Sequence, residues 1–327
     1  MRDMPRILLI KTSSLGDVVH NLPVVGDILA HLPEACIDWV VEESFAAIPG
    51  LHAGVANIIP VAVRRWRRQL GRAQTWREIS RFRQTLQTHA YDAVIDTQGL
   101  LKSALIAIQA RGYLHGQDRQ SVREPLASLF YERKHHVARG QHAVVRNRQL
   151  AAQALGYALP ATLPDYGIAA HGPMPIDTLP AAYVVGLHAT SRASKLWPAE
   201  HWVALGRDLS AQGIGMLLPW HSAAEHERAQ LIATHVDTAV VLPRLSLGHI
   251  AIVLSRARAA VGVDTGLTHL AVALGVPTLA LYTDTDPALT GVYAGAAASA
   301  INLGGAARIP TVETTIRALR QLLVPPA

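Results

Sequence analysis

The chain has 327 residues, half of them apolar, and its 30 Lys plus Arg against 24 Asp plus Glu give a formal charge of +6. Its one cysteine excludes an intramolecular disulfide framework, and no run of eighteen apolar residues indicates a membrane-spanning helix. This length and composition favour two globular domains, and the charge favours an anionic partner: a nucleic acid, a lipid headgroup, or a phosphorylated or carboxylated substrate.

The first half of the chain alternates predicted strands with predicted helices. Strands are expected where short apolar runs occur, at 6–10, 37–41, 57–59 and 93–96. Helices are expected where apolar residues recur at helical spacing, at 18–29, 76–86, 100–110 and 143–155. This alternation is typical of a parallel sheet covered by helices.

The alternation stops between residues 156 and 182, where five Pro and three Gly are typical of a linker. It resumes with strands predicted at 183–187, 215–219, 239–242, 259–263 and 277–282, and with helices predicted at 199–209, 225–234, 247–256 and 266–274. The sequence therefore predicts two doubly wound α/β domains. A last helix is predicted at 311–323, and periodicity does not assign it to either domain.

A basic segment with eight Arg and one Glu lies between residues 64 and 83. Its second part has helical spacing, which predicts a buried stripe of Trp76, Ile79, Phe82 and Leu86. Its first part consists of Arg64, Arg65, Arg67 and Arg68, four guanidinium groups within five positions. These groups repel one another, and a shared anion would relieve the repulsion. This clustering favours an acidic ligand over a chance surface cluster.

Polar residues follow three strands of the predicted second domain. Open parallel sheets bind ligands beyond the carboxyl ends of their strands. Asp264, Thr265 and Gly266 lie between a strand and a helix, where backbone N–H groups favour a phosphate; the alternative is an ordinary helix cap with His269 on the surface. The other two loops add the hydroxyls of Thr190 and Ser191, the ammonium of Lys195, and the carboxylate of Glu225. Together these loops favour a nucleoside diphosphate.

Several segments carry a resemblance to one family. They include "ILLIKTSSLGDVVHNLP", "VAVRRWR", "DAVIDTQGLLKSAL", "LHATSRASKLWP" and "VDTGLTHLAVAL". The chain resembles, from about residue 6 to 323, the bacterial ADP-heptose:lipopolysaccharide heptosyltransferases of glycosyltransferase family 9. The resemblance implies a GT-B fold: two Rossmann-like doubly wound domains facing a central cleft. The acceptor would bind at 1–170 and the ADP-sugar at 171–310, and the helix at 311–327 would pack back on the first domain.

The resemblance also implies a reaction and its partners. Within the family the chain is most similar to members that add the first heptose, from ADP-heptose to Kdo of Kdo2-lipid A, with inversion. Such an enzyme would be cytoplasmic and peripheral on the inner membrane, in contact with its anionic surface, and would need no metal, no other cofactor and no nucleic acid. The alternatives are addition of the second heptose and, in a different class, a basic nucleic-acid-binding protein. A nicotinamide dehydrogenase is disfavoured because the first-strand loops lack Gly-x-Gly-x-x-Gly.

Site residues carry over from the family position by position. Asp17 would be the base that takes the acceptor proton, the alternative being that it only caps a helix. The implied donor contacts are Thr190, Ser191, Lys195, Glu225, Leu245, Asp264, Thr265, Gly266 and His269. The implied acceptor contacts are Ser13, Arg64, Arg65, Arg67, Lys102 and Arg123. The segment 282–287 departs from the family and creates an Asp284-x-Asp286 pair, for which we do not expect a metal.

Overall fold

The chain divides into two compact units, the first ending at Ile168 and the second beginning at Ala169. The computed structural model describes residues 4–324. The division falls inside the segment 156–182, most of which has no regular secondary structure. Each unit has its own sheet and its own core, and each is described by itself below.

The first unit is built on a six-stranded parallel sheet. The strands are β1 (Arg6–Ile10), β2 (Cys36–Glu42), β3 (Val55–Val61), β4 (Ala90–Asp96), β5 (Arg111–Gln117) and β6 (Arg133–His135). Their order across the sheet is β3-β2-β1-β4-β5-β6. The central strands read as continuous apolar runs because helices cover both faces of the sheet. Residues 7–10 of β1 are accordingly fully buried.

Short and medium helices connect these strands. They are α1 (Leu15–Val19), α2 (Leu22–His31), α3 (Val63–Trp66), α4 (Ala73–Leu86), α5 (Leu101–Ala107) and α6 (Ala143–Leu155), with a 3₁₀ helix at Pro125–Phe130. The single helix predicted at 18–29 is instead two helices that break at His20 and Asn21. Pro23 lies in the first turn of α2, where its missing N–H is tolerated.

Three features of the first unit differ from prediction. Strands β5 and β6 were not predicted, because their Arg, Gly, Lys and His residues lack an apolar run. In α4, Phe82 and Leu86 are buried as predicted, but Trp76 is 58% exposed. Its indole N–H donates to the carbonyl of Leu70 at 2.8 Å, so the ring lies against the preceding loop.

The second unit repeats the topology of the first. Its strands are β7 (Tyr183–Leu187), β8 (Gly215–Leu218), β9 (Ala239–Val241), β10 (Ala259–Val263), β11 (Thr278–Tyr282) and β12 (Ala300–Gly304). They lie in the order β12-β11-β10-β7-β8-β9, and all neighbours are parallel. Strand β12 was not predicted, since an Ala- and Gly-rich stretch precedes it and hides its start.

The helices of the second unit include the last one of the chain. They are α7 (Ala199–Ala211), α8 (Ala223–Ala233), α9 (Leu247–Ser255), α10 (Gly266–Ala273), α11 (Pro287–Thr290) and α12 (Val312–Leu323). Helix α12 contacts α7 and strands β10 to β12, and Ala318 and Leu319 are buried in that core. The prediction that this helix packs on the first domain is therefore wrong for residues 312–323. The connection between β12 and α12 is short, so the helix packs on the sheet to which β12 belongs.

None of the helices within residues 4–324 has the length and the apolar character needed to cross a bilayer.

Candidate functional site

Each sheet places some of its predicted site residues at the same point of the topology. In each sheet the direction of winding reverses between two neighbouring strands. These strands are β1 and β4 in the first unit, and β7 and β10 in the second. Doubly wound sheets bind ligands beyond the carboxyl ends of the strands at this switch point. Asp17 and Lys102 follow β1 and β4, and Lys195 and Asp264 follow β7 and β10.

Asp17 lies in the first turn of α1 and is half-buried. Its Oδ2 accepts hydrogen bonds from the backbone N–H of Ser14 at 2.7 Å and from the Ser14 hydroxyl at 3.1 Å. The carboxylate therefore caps its helix, as the alternative interpretation required. A cap and a proton acceptor are compatible roles here, because both of these bonds fall on one carboxylate oxygen.

A glutamine that sequence reasoning missed joins the two loops at the first switch point. Gln98 Oε1 accepts from the backbone N–H groups of Thr12 at 3.0 Å and Ser13 at 3.1 Å. Lys102 adds a second link, since its Nζ donates to Ser13 Oγ at 2.9 Å. The structure thus brings together two of the predicted acceptor residues. The only signal for Gln98 was its place two residues after a predicted strand.

Burial lowers the pKa of Lys102, and the positive charge of Arg64 lowers it further, while the carboxylates of Glu42 and Asp17 oppose the shift. Lys102 is therefore not a freely solvated charge on the helix surface. Lys102 interacts electrostatically with both Arg64 and Asp17, so the base predicted at position 17 has a cation in its surroundings.

A second lysine lies beneath this loop. Lys11 is 6% exposed, and its Nζ donates to the carbonyl of Thr97 at 2.6 Å and to Asn147 Oδ1 at 3.2 Å. Burial lowers its pKa to about 8, although the charges of Asp17 and Asp96 oppose this shift. Lys11 directly follows β1, and its charge interacts electrostatically with the carboxylate of Asp17.

Asp96 ends β4 and is fully buried. Its carboxylate accepts from the backbone of Gln98 at 2.9 Å and of Gly99 at 3.2 Å, and from the hydroxyls of Ser103 and Tyr131, both at 2.8 Å. Burial raises its pKa, and these four donors oppose the shift. The network fixes the loop that carries Gln98.

The basic segment is only partly available to a ligand. Arg65 forms ion pairs with Glu43 at 2.9 Å and with Glu78 at 2.8 Å, so acidic residues of the same unit compensate its charge. The guanidinium of Arg64 lies over the ring of Phe45, 5.3 Å from its centroid, and Arg64 and Arg67 are exposed. Arg123 is exposed beyond β5. Arg65 is therefore the acceptor contact that the structure supports least.

In the second unit an ion pair joins the two loops at the switch point. Lys195 Nζ lies 2.6 Å from Asp264 Oδ2, and both side chains are largely buried. The same oxygen accepts from the hydroxyl of Thr285 at 2.8 Å, and Thr190 donates to the backbone carbonyl of Asp264 at 3.1 Å. Burial alone would raise the pKa of Asp264, but Lys195 and Thr285 more than offset this and lower it. Asp264 is thus a stable carboxylate.

The start of α10 is arranged as a phosphate site requires. Thr265 is the N-cap residue, yet its side chain makes no capping hydrogen bond. The backbone N–H groups that begin at Gly266 therefore keep their ability to bind an anion. His269 lies one turn further and is buried rather than on the surface, and its charge lowers the pKa of Asp264.

Two predicted donor contacts follow other strands of the second unit, and a third, Ser191, lies in the same loop as Thr190 and Lys195. Glu225 caps α8, where its Oε2 accepts from the backbone of His221 at 2.7 Å and of Ser222 at 3.3 Å. Leu245 is half-buried between β9 and α9, and Ser191 is exposed. Each follows a strand end, and within residues 4–324 none of the three forms a side-chain hydrogen bond or ion pair with Lys195 or Asp264.

The two carboxylates of the Asp-x-Asp pair have separate local roles. Asp284 accepts from the Ser194 hydroxyl at 2.6 Å, whereas Asp286 caps α11 by accepting from Ala288 N–H at 2.9 Å. In the part of the chain that the structure describes, no three His, Cys, Asp or Glu side chains are grouped so that they could hold a metal ion.

Comparison with known proteins shows the family and the fold of the chain. Residues 79–316 match glycosyltransferase family 9 (heptosyltransferase). Lipopolysaccharide heptosyltransferase 1 of Pseudomonas aeruginosa is 52% identical over 289 residues, which are 88% of this chain and 81% of that protein. A structure of E. coli heptosyltransferase WaaC with ADP is 46% identical, with a TM-score of 0.90, and the match covers 97% of this chain and 99% of that one.

The same E. coli enzyme with ADP-2-deoxy-2-fluoro heptose matches at 45% identity with a TM-score of 0.86, over 97% of this chain and 99% of that one. These likenesses confirm the predicted GT-B class, with two Rossmann-like doubly wound domains. They also confirm the resemblance found in the sequence. This chain belongs to glycosyltransferase family 9, the heptosyltransferases.

Proposed function

We propose that this protein transfers heptose from ADP-heptose to Kdo of Kdo2-lipid A, with inversion, in the assembly of the lipopolysaccharide inner core. The observation that carries the proposal is the placement of Asp17 at one switch point and of the Lys195–Asp264 pair at the other. Identity of about half the residues with named heptosyltransferases supports the substrate class.

Asp17 is the proposed general base. The acceptor hydroxyl attacks the anomeric carbon as the bond from that carbon to the diphosphate oxygen breaks, and the hydroxyl proton passes to the carboxylate. Oδ2 is engaged by Ser14, so Oδ1 is the oxygen that receives the proton. Lys11 and Lys102 interact electrostatically with Asp17, and their positive charges favour an anionic acceptor.

The second unit holds the leaving group in this proposal. The ammonium of Lys195 and the free N–H groups at Gly266 stabilise the negative charge of the departing ADP. Asp264 accepts from heptose hydroxyls, Glu225 accepts from the ribose, and Leu245 contacts the adenine. Thr190, Ser191, Thr265 and His269 complete the donor site. These groups supply the stabilisation of charge without a metal or other cofactor.

The acceptor side uses Ser13, Lys102, Arg64, Arg67 and Arg123, with Arg65 as the least available member. The acceptor is a lipid, so the enzyme acts as a peripheral protein on the cytoplasmic side of the inner membrane. Nucleic acid has no role in this proposal, although the net charge is positive.

Mass spectrometry tests the proposed reaction directly. The purified protein is mixed with ADP-heptose and heptose-free Kdo2-lipid A, and a product with one added heptose is expected. A parallel reaction uses an acceptor that already carries one heptose. Transfer to the second acceptor alone would show that the chain adds the second heptose, and transfer to neither would refute the proposal.

A further inference from the structure

An apolar face of the first unit has no role in the transfer chemistry. It consists of the side chains of Leu105 on α5, of Ile108 at the C-cap of that helix, and of Leu126 and Leu129 on the 3₁₀ helix Pro125–Phe130, which are between 44% and 69% exposed. Large aliphatic side chains gathered on a surface indicate a binding site. We name these four residues the apolar face.

The two elements present these residues on one side. Residues three apart share a side of an α-helix and eclipse each other in a 3₁₀ helix, so each pair projects together. Helix α5 packs against the 3₁₀ helix, and the N–H of Leu101 donates to Glu124 Oε2 at 2.6 Å where the two begin. Ala104 and Ala127 are buried in the same core, so the opposite sides of both elements face outwards together.

Cations border the apolar face. Arg123 is exposed two residues before the 3₁₀ helix, next to Glu124, whose carboxylate is engaged by Leu101. Arg139 donates to the carbonyl of Val122 at 2.5 Å, and Arg146 donates to that of Ser121 at 2.8 Å, so two further guanidinium groups bind the residues just before Arg123. Helix α5 contains Lys102 and no acidic residue. Aliphatic side chains beside Arg and Lys are the composition that binds the interface of an anionic bilayer.

We propose that the apolar face docks on a lipid bilayer with anionic headgroups, with the four aliphatic side chains entering the boundary between headgroups and acyl chains. Lys102 lies one turn before Leu105 and binds Ser13, so a lipid seated on this face has its headgroup beside the proposed acceptor site. A second copy of the chain is a poorer occupant. Stable protein interfaces use roughly 20–30 residues a side, more than these two short elements supply.

The inference deepens the proposed function, in which the acceptor is a lipid, but vesicle binding needs no turnover. The full chain is sedimented with phosphatidylglycerol vesicles and with phosphatidylcholine vesicles, with no substrate present. We expect binding to phosphatidylglycerol, and a reduction of at least about tenfold in the Leu126→Ser/Leu129→Ser variant. The matched control is Leu231→Ser/Leu289→Ser, two exposed leucines of the second unit. It should bind as the unchanged protein does.

Equal vesicle binding by the Leu126→Ser/Leu129→Ser variant and its control would overturn the proposal. Equal binding to both lipids would overturn its electrostatic part. Sedimentation velocity tests whether a second copy of the chain covers the face. Concentration-dependent dimers that are lost only in the Leu126→Ser/Leu129→Ser variant would assign the face to a second copy instead. Transfer to a detergent-dispersed acceptor should be unchanged in the variant. If the unchanged protein transfers no heptose there yet binds vesicles as described, the docking face stands and the proposed function fails.

Discussion

Lys195 and Asp264 are 69 positions apart in the chain, and their side chains meet at 2.6 Å where β7 and β10 end. The ammonium is therefore already oriented and partly desolvated before any phosphate arrives. A bound diphosphate gains a preorganised cation, and Asp264 remains able to accept hydrogen bonds from a sugar. The pair links the two loops on which donor binding is proposed to depend.

Lys195→Ala should weaken ADP binding. Hydrogen bonds to charged groups contribute about 1.5–3 kcal/mol, so titration calorimetry should show a loss of roughly 10- to 100-fold in affinity. Lys134→Ala, which removes an exposed lysine of the first unit, serves as the control. Asp264→Asn should lower affinity for ADP-heptose and leave that for ADP nearly unchanged. An ADP affinity unaffected by Lys195→Ala would remove this lysine from the donor site.

Asp17→Asn should nearly abolish transfer while leaving donor affinity intact. The amide oxygen can still accept from Ser14, so the helix cap persists, but the proton acceptor is lost. General-base catalysis contributes about 10²- to 10⁴-fold, and kcat should fall by that amount.

Ser14→Ala is the control for the cap at Asp17, because it removes one hydroxyl contact and keeps the carboxylate. Losing an N-cap side chain costs about 1 kcal/mol of stability, so the melting temperature should fall slightly while kcat falls less than about tenfold. Near-normal turnover by Asp17→Asn would show that Asp17 is only a cap.

Gln98→Ala should misplace the loop that carries Asp17. It leaves the buried N–H groups of Thr12 and Ser13 without their shared acceptor. Each unsatisfied group costs about 1–3 kcal/mol, which the loop can avoid by moving. We expect kcat to fall at least about tenfold while the affinity for ADP stays constant. Gln109→Ala, just beyond α5, is the control, and equal kinetics for the two variants would refute a positioning role.

Lys11 should make stability depend on alkaline pH. Its pKa is about 8 in the folded protein and 10.5 when unperturbed. Between these values the unfolded chain binds the extra proton, so the free energy of unfolding rises with pH from 8 towards 10.5. A difference of this size corresponds to a gain on the order of 3 kcal/mol over the full window.

Lys11→Met isolates this contribution from other titrating groups. Urea unfolding at about pH 7 and about pH 9.5 gives four free energies. The unchanged protein should gain stability relative to Lys11→Met as the pH rises, because the neutral amine no longer opposes burial. A constant difference between the two proteins would show that Lys11 keeps its proton in the folded state throughout this range.

The sequence by itself determined the strand–helix alternation, the two units and the loops that carry the candidate site. Continuous apolar runs such as residues 7–10 belong to strands covered on both faces, and that pattern is local. The same local reasoning put Asp17, Lys195 and Asp264 at strand ends. It missed β5, β6 and β12, whose pairing comes from neighbouring strands rather than from their own composition.

Only the tertiary structure decided which side chains meet. Gln98 bridges two loops, and Lys11 contacts Asn147 from 136 positions away, contacts that periodicity does not encode. Helix α12 has an apolar stripe that could cover either unit, and packing chose the second. An amphipathic pattern shows that one face of a helix must be buried, but it does not show which surface covers that face, because the hydrophobic effect has no direction. Hydrogen bonds do have direction, and they need partners that only the folded chain brings within reach.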